Sequence, residues 1–106
     1  GVVTASDLRT LADRTVVDVA GVVTHRQRPK TARGVTFLSV EDETGLINVI
    51  CTPPVWNRHR KVARRSPALR IRGVLECRQG VINLLAQRLR PLDLGLADHL
   101  RSRDFR

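Results

Sequence analysis

The chain has 106 residues and a net charge of +9, with nineteen Lys and Arg against ten Asp and Glu. That length is one domain's worth and excludes a multi-domain enzyme with its own cofactor half. Apolar residues make up 42% of the chain, enough to fill a core, which excludes disorder, and no run approaches the ~18 apolar residues of a membrane span. With no signal-peptide pattern at the N-terminus, a soluble intracellular domain with no membrane partner is expected. Cys51 and Cys77 lie in apolar, strand-like surroundings without CxxC spacing, so they read as reduced core residues.

Residues 1–14 form a lead-in segment. Thr4-Ala-Ser-Asp7 fits a capping box for a short helix carrying Leu8 and Leu11 and ending near Asp13. From Thr15 the chain turns β-branched, with Val16, Val17, Val19, Val22, Val23 and Thr24 in a first strand and Gly21 marking a bend or bulge. His25 to Gly34 is polar, basic and Pro-containing, the pattern of a loop. Val35–Val40 forms a second strand, Glu41–Gly45 a turn and Leu46–Cys51 a third strand. Thr52 and Pro53 open one amphipathic helix of roughly three turns, with Val55, Trp56, His59, Val62 and Ala63 on its apolar face. Ala68–Cys77 is a fourth strand, Arg78-Gln-Gly80 a tight turn, and Val81–Leu89 a fifth strand ended by Pro91. Residues 93–106 read as a tail.

This order is all-β: a five-stranded Greek-key barrel of the OB-fold kind over 15–92, with a capping helix between strands three and four and a short N-terminal helix. In that fold the second and third strands and their flanking loops bind oligonucleotides.

The charge is unevenly spread. Residues 19–40 and 44–75 contain no carboxylate, yet hold eleven of the nineteen cations. Arg26, Arg28, Lys30 and Arg33 fall in the first loop. Arg58, Arg60, Lys61, Arg64 and Arg65 fall in the helix, and Arg70 and Arg72 in the fourth strand. Such blocks favour a polyanionic partner.

Catalysis needs convergent groups, and the sequence offers none. His25, His59 and His99 lack ligand spacing, there is no P-loop, dinucleotide fingerprint or HExxH motif, and Glu41-Asp42-Glu43 reads as a turn that caps backbone N–H groups. No catalytic residue, metal or cofactor is expected. Single-strand binding instead asks for a basic groove and an exposed aromatic platform. By period-two alternation Leu38 and Val40 face the interior and Phe37 faces out, while Ile47, Val49 and Cys51 turn Asn48 out on the neighbouring strand. Leu69 and Ile71 face in, which turns Arg70 and Arg72 to solvent. Trp56 belongs to the core face of the helix.

Val19–Lys30, Gly34–Ile50, Gly80-Val-Ile-Asn-Leu-Leu-Ala, the helix with Trp56 and the closing Ser102-Arg-Asp-Phe-Arg106 together resemble the C-terminal region of bacterial error-prone DNA polymerases. These are C-family enzymes related to the polymerase III alpha subunit. The resemblance implies a cytoplasmic, nucleoid-associated module of a larger translesion polymerase in DNA repair and replication. Its partners would be single-stranded template, the rest of the polymerase and accessory mutagenesis proteins, with catalysis elsewhere. The Gly34–Asn48 pattern is also similar to the anticodon-binding domain of class II aminoacyl-tRNA synthetases, where the aromatic matching Phe37 stacks on a base and the residue matching Asn48 reads a base edge. The expected site is therefore Arg26, Arg28, Lys30 and Arg33 on phosphates, Phe37 stacking and Asn48 hydrogen-bonding, with Arg70, Arg72 and Arg78 extending the groove. The alternatives are a protein-assembly module, with the tail as its contact segment, and an RNA-binding domain.

Overall fold

The computed structural model describes residues 1–92; the tail expected over 93–106 lies outside the described residues. Five strands, β1 (Val16–Gln27), β2 (Thr36–Asp42), β3 (Gly45–Cys51), β4 (Ala68–Arg78) and β5 (Val81–Pro91), close into a barrel in the order β1-β2-β3-β5-β4. Every neighbouring pair is antiparallel except β3 and β5, which run parallel over Asn48–Ile50 and Asn83–Leu85. The interior is filled by alternate residues of each strand, among them Val19, Leu38, Val40, Val49, Ile71, Leu75 and Leu84, as the period-two pattern requires.

β1 belongs to two ladders. Residues 16–22 pair with β4 and residues 22–27 with β2, with a register shift between Val23 and His25. The strand thus bends at Thr24 rather than at Gly21. Gly21 has a different role: a Cβ there would collide with the backbone carbonyl of Glu41 and the side chain of Val40, so only glycine lets β2 cross this close. The same ladder carries β1 on through His25, Arg26 and Gln27, which pair with Ser39, Leu38 and Phe37. The loop expected from His25 therefore starts at Arg28. Cross-strand hydrogen bonding to β2 outweighs the low apolar content of these three residues.

The expected single helix is two short ones, α1 (Pro53–Arg58) and α2 (Arg60–Arg65), separated at His59, where φ is −113 and ψ is 17. Trp56 of α1 and Ala63 of α2 still reach the core. At the N-terminus the capping box forms as written: the Thr4 amide donates to Asp7 Oδ2 at 3.0 Å and the Asp7 amide to Thr4 Oγ1 at 3.2 Å. It starts only a 3-10 turn, Asp7–Thr10, which buries Leu8. The β4–β5 hairpin turns on Gln79 and Gly80, both at positive φ (52 and 79), which matches the right-handed twist of the two strands.

Candidate nucleic-acid interface

Strand direction sorts the loops. The β1–β2 loop (28–35) leaves the barrel beside Gln27 and Phe37, at the end plugged by α1 and α2, while the β2–β3 and β4–β5 turns lie at the opposite end. Between them the outer faces of β2, β3 and β5 form a continuous surface. Phe37 pairs with Ile50 and Ile50 with Leu85; one step along, Ser39 pairs with Asn48 and Asn48 with Asn83. Phe37 is 38% exposed, and Asn48 is exposed on the diagonal position of the next strand. The alternation from Leu38 and Val40 thus places both side chains on one outer face, as expected. Asn83 was not anticipated; the parallel register that brings it beside Asn48 is a tertiary fact with no local signal in the sequence.

Arg28, Lys30 and Arg33 are exposed in the loop beside Phe37. A 3-10 turn, Lys30–Ala32, and a left-handed Arg33 (φ 53) shape that loop. Arg26, also exposed, is held differently. Its Nε donates to the Ala63 carbonyl at 2.8 Å and its Nη2 to the Ser66 carbonyl at 2.7 Å, so this cation ties β1 to the last turn of α2. Below it, Thr36 is buried and its Oγ1 has no hydrogen-bond partner among the described residues. Thr36 lines a small recess with Arg26, Arg28, Trp56 and Arg64.

Arg78 stands at the far end of the surface, beside the β4–β5 turn, with its Nε 4.0 Å from Glu76. Asp42 caps the β2–β3 turn: Oδ1 accepts from the Thr44 and Gly45 amides at 2.8 and 3.1 Å, and Oδ2 from the Ala5 amide at 2.8 Å. The acidic turn thereby pins the N-terminal segment. Arg70 and Arg72 lie on a different ladder, paired with Ala20 and Asp18 of β1 and with Arg90 and Arg88 of β5. Both reach Asp18, at 3.1 and 3.4 Å. The hydrogen bond from Arg70 is the main reason the Asp18 carboxyl sits below its ordinary range.

Cys51 is fully buried, and desolvation pushes its thiol up to about 11. Cys77, partly buried, is also a free thiol. Among the described residues no His, Cys, Asp and Glu group has the makings of a metal site, and no helix is long and apolar enough to cross a membrane.

A closed five-stranded barrel with short helices between β3 and β4, and with an aromatic and polar amides on the β2–β3–β5 surface, defines an OB-fold domain. Residues 17–92 match the OB-fold nucleic acid binding domain family, and the chain belongs to it. Over its whole length the chain is 54% identical to the error-prone DNA polymerase of Mycolicibacterium paratuberculosis, of which it covers 10%. The chain thus spans about a tenth of the curated relatives it matches, and that match does not support the C-terminal placement implied by the resemblance. Among solved structures it is similar to asparaginyl-tRNA synthetase from Pyrococcus horikoshii complexed with asparaginyl-adenylate, with TM-score 0.72 and 18% identity over 88% of this chain and 22% of that one. It is also similar to a chain of a replication protein A heterotrimer bound to ssDNA, with TM-score 0.59 and 24% identity over 89% of this chain and 71% of that one.

Proposed function

We propose that this domain holds single-stranded DNA template for an error-prone polymerase engaged in translesion synthesis, and that the rest of that polymerase carries the chemistry. The observation behind this reading is the exposed Phe37 ring on an outer sheet face, with Asn48 diagonal to it and a loop of three cations at its edge. Phe37 stacks on a base, Asn48 hydrogen-bonds a base edge, Arg28, Lys30 and Arg33 take phosphates on one side, and Arg78 takes one on the other. Bases have a π-face whatever their identity, so the platform tolerates sequence, as a template holder must.

The test is anisotropy of labelled dT8 across a salt series, beside the R28Q/K30Q/R33Q variant. Four phosphate contacts give a slope of log affinity against log salt near −3, and removing three lowers its magnitude by about 2, at ~0.7 per contact. An unchanged slope removes the loop from the site, and tighter binding to U8 than to dT8 moves the reading to RNA.

A second reading has one observation in its favour. Among the described residues Leu46 and Val81 are the most exposed large apolar side chains, and they line a groove with Ser6, Arg9, Asn48 and Ile82 at the turn end of the barrel. An accessory mutagenesis protein seated there would bind with weak salt dependence.

A further inference from the structure

We propose that the β1–β4–β5 face carries a second phosphate-binding site, formed by Arg70, Arg72, Arg88 and Arg90 around Asp18, that takes the sugar-phosphate backbone of a nucleic-acid strand without reading its bases. Arg70 stands directly opposite Arg90, and Arg72 opposite Arg88. Like charges directly opposite one another across two strands destabilise a sheet. Two such pairs side by side are a standing cost that a bound polyanion would remove. Asp18 offsets one charge and orients two forks, holding Arg70 and Arg72 from the β1 side; three positive charges remain in surplus among the described residues. Arg88 and Arg90 have no hydrogen-bond or ion-pair partner among those residues.

The spacing favours a nucleic-acid backbone. Alternate residues on a strand lie about 7 Å apart, so the backbone positions of Arg70 and Arg72, and of Arg88 and Arg90, are spaced close to successive phosphates, within reach of these long side chains. The recess is lined by these five charged side chains alone, with no aromatic to stack a base and no apolar slot to seat a peptide side chain. Guanidinium forks match phosphate oxygens bidentately.

The site is distinct from the Phe37 surface. Along β1, the partners of the two sites are Asp18 and Gln27, up to about 30 Å apart along the strand at ~3.3 Å per residue. In the other direction the two faces share β5, with Asn83 on the Phe37 surface and Arg88 and Arg90 on the second site, about 16–23 Å further along that strand at ~3.3 Å per residue. One chain can then hold two segments of nucleic acid, or one strand wrapped around the barrel.

The experiment follows the arginine Nε–H and backbone amide NMR signals of the 106-residue chain during titration with dT8, and separately with an octa-glutamate peptide. It is coupled to a salt series of dT30 affinity for the wild type and R88Q/R90Q. The expected result is a saturable shift of the Nε signals of all four arginines with dT8, little response to octa-glutamate, and a loss of two phosphate contacts in the variant. That loss lowers the dT30 salt slope by about 1.4 and weakens binding about twentyfold at 0.1 M salt. Amide shifts around Phe37 with silent arginines would overturn this site and leave the template-holding surface standing. Shifted arginines with a silent Phe37 region would do the reverse. An equal or stronger response to octa-glutamate would overturn the nucleic-acid assignment in favour of an acidic protein segment. Because the Arg88 and Arg90 side chains make no hydrogen bond or ion pair among the described residues, an amide spectrum of R88Q/R90Q unchanged away from the two substituted positions checks that the variant is folded.

Discussion

Removing the Phe37 ring separates stacking from charge, and the two leave different marks. The ring is 38% exposed, so roughly three-fifths of its surface is already covered by the sheet. A fully buried Phe contributes about 1.5–3 kcal/mol relative to an exposed one, so Phe37→Ala should cost about 1–2 kcal/mol of stability. A domain with about 5–15 kcal/mol in hand remains folded. Loss of one base stack costs about 1–3 kcal/mol of binding, a rise in Kd of about 5- to 150-fold. Stacking releases no counterions, so plots of log affinity against log salt for F37A and wild type should be parallel and vertically offset. Circular dichroism establishes that the variant is folded, anisotropy with dT8 gives the offset, and Phe37→Trp should restore it. Coincident lines would refute stacking. A change of slope would mean that the ring positions the loop cations instead.

Gly21→Ala should lower stability by about 2 kcal/mol, because its Cβ meets the Glu41 backbone rather than a side chain that can yield; a Tm within ~2 °C of wild type would show that β2 can move away. Arg26→Ala should lose about 1–2 kcal/mol with the two bonds to α2 while leaving the salt slope of dT8 binding unchanged. A stable variant whose slope drops by about 0.7 would make Arg26 a phosphate contact after all. Acid should act in two steps on thermal stability. His59 is held below its ordinary 6.5 by burial and then by Arg58 and Arg88; the unfolded chain binds that proton more readily, so stability falls as pH drops through 6.5 towards the folded value. Asp18, held below 3.8 first of all by the Arg70 hydrogen bond, contributes stability above 3.8 that disappears as pH falls through its folded value. Asp18→Asn should flatten that lower step, and a Tm profile identical to wild type below pH 4 would assign the acid limb to other carboxylates.

Strand alternation was legible wherever one face is apolar. Leu38, Val40, Ile47, Val49, Leu69 and Ile71 are buried as the period-two pattern requires, and the outward placement of Phe37 and Asn48 follows from them. The end of β1 was not legible: His25, Arg26 and Gln27 have the composition of a loop, and only pairing with β2 makes them strand. Composition likewise grouped Arg26 with its neighbours, although its guanidinium is bound to carbonyls of a helix some forty residues away in sequence. Arg88 and Arg90 did carry a signal, alternating about Leu89 as Arg70 and Arg72 alternate about Ile71. What the sequence could not contain is the register that puts the two Arg-x-Arg runs face to face.

The parallel seam between β3 and β5 bears on how the chain is made. β5 is the partner of both β3 and β4, so a nascent chain emerging only as far as Gly80 has two open sheet edges and a gap over its apolar interior. Unpaired edges of this kind invite pairing with another chain, and the seam forms only after contacts distant in sequence are brought together, a slow step for any barrel. The fifth strand of the barrel is therefore the one that removes the hazard, and a chain that has emerged only as far as Gly80 is prone to aggregate.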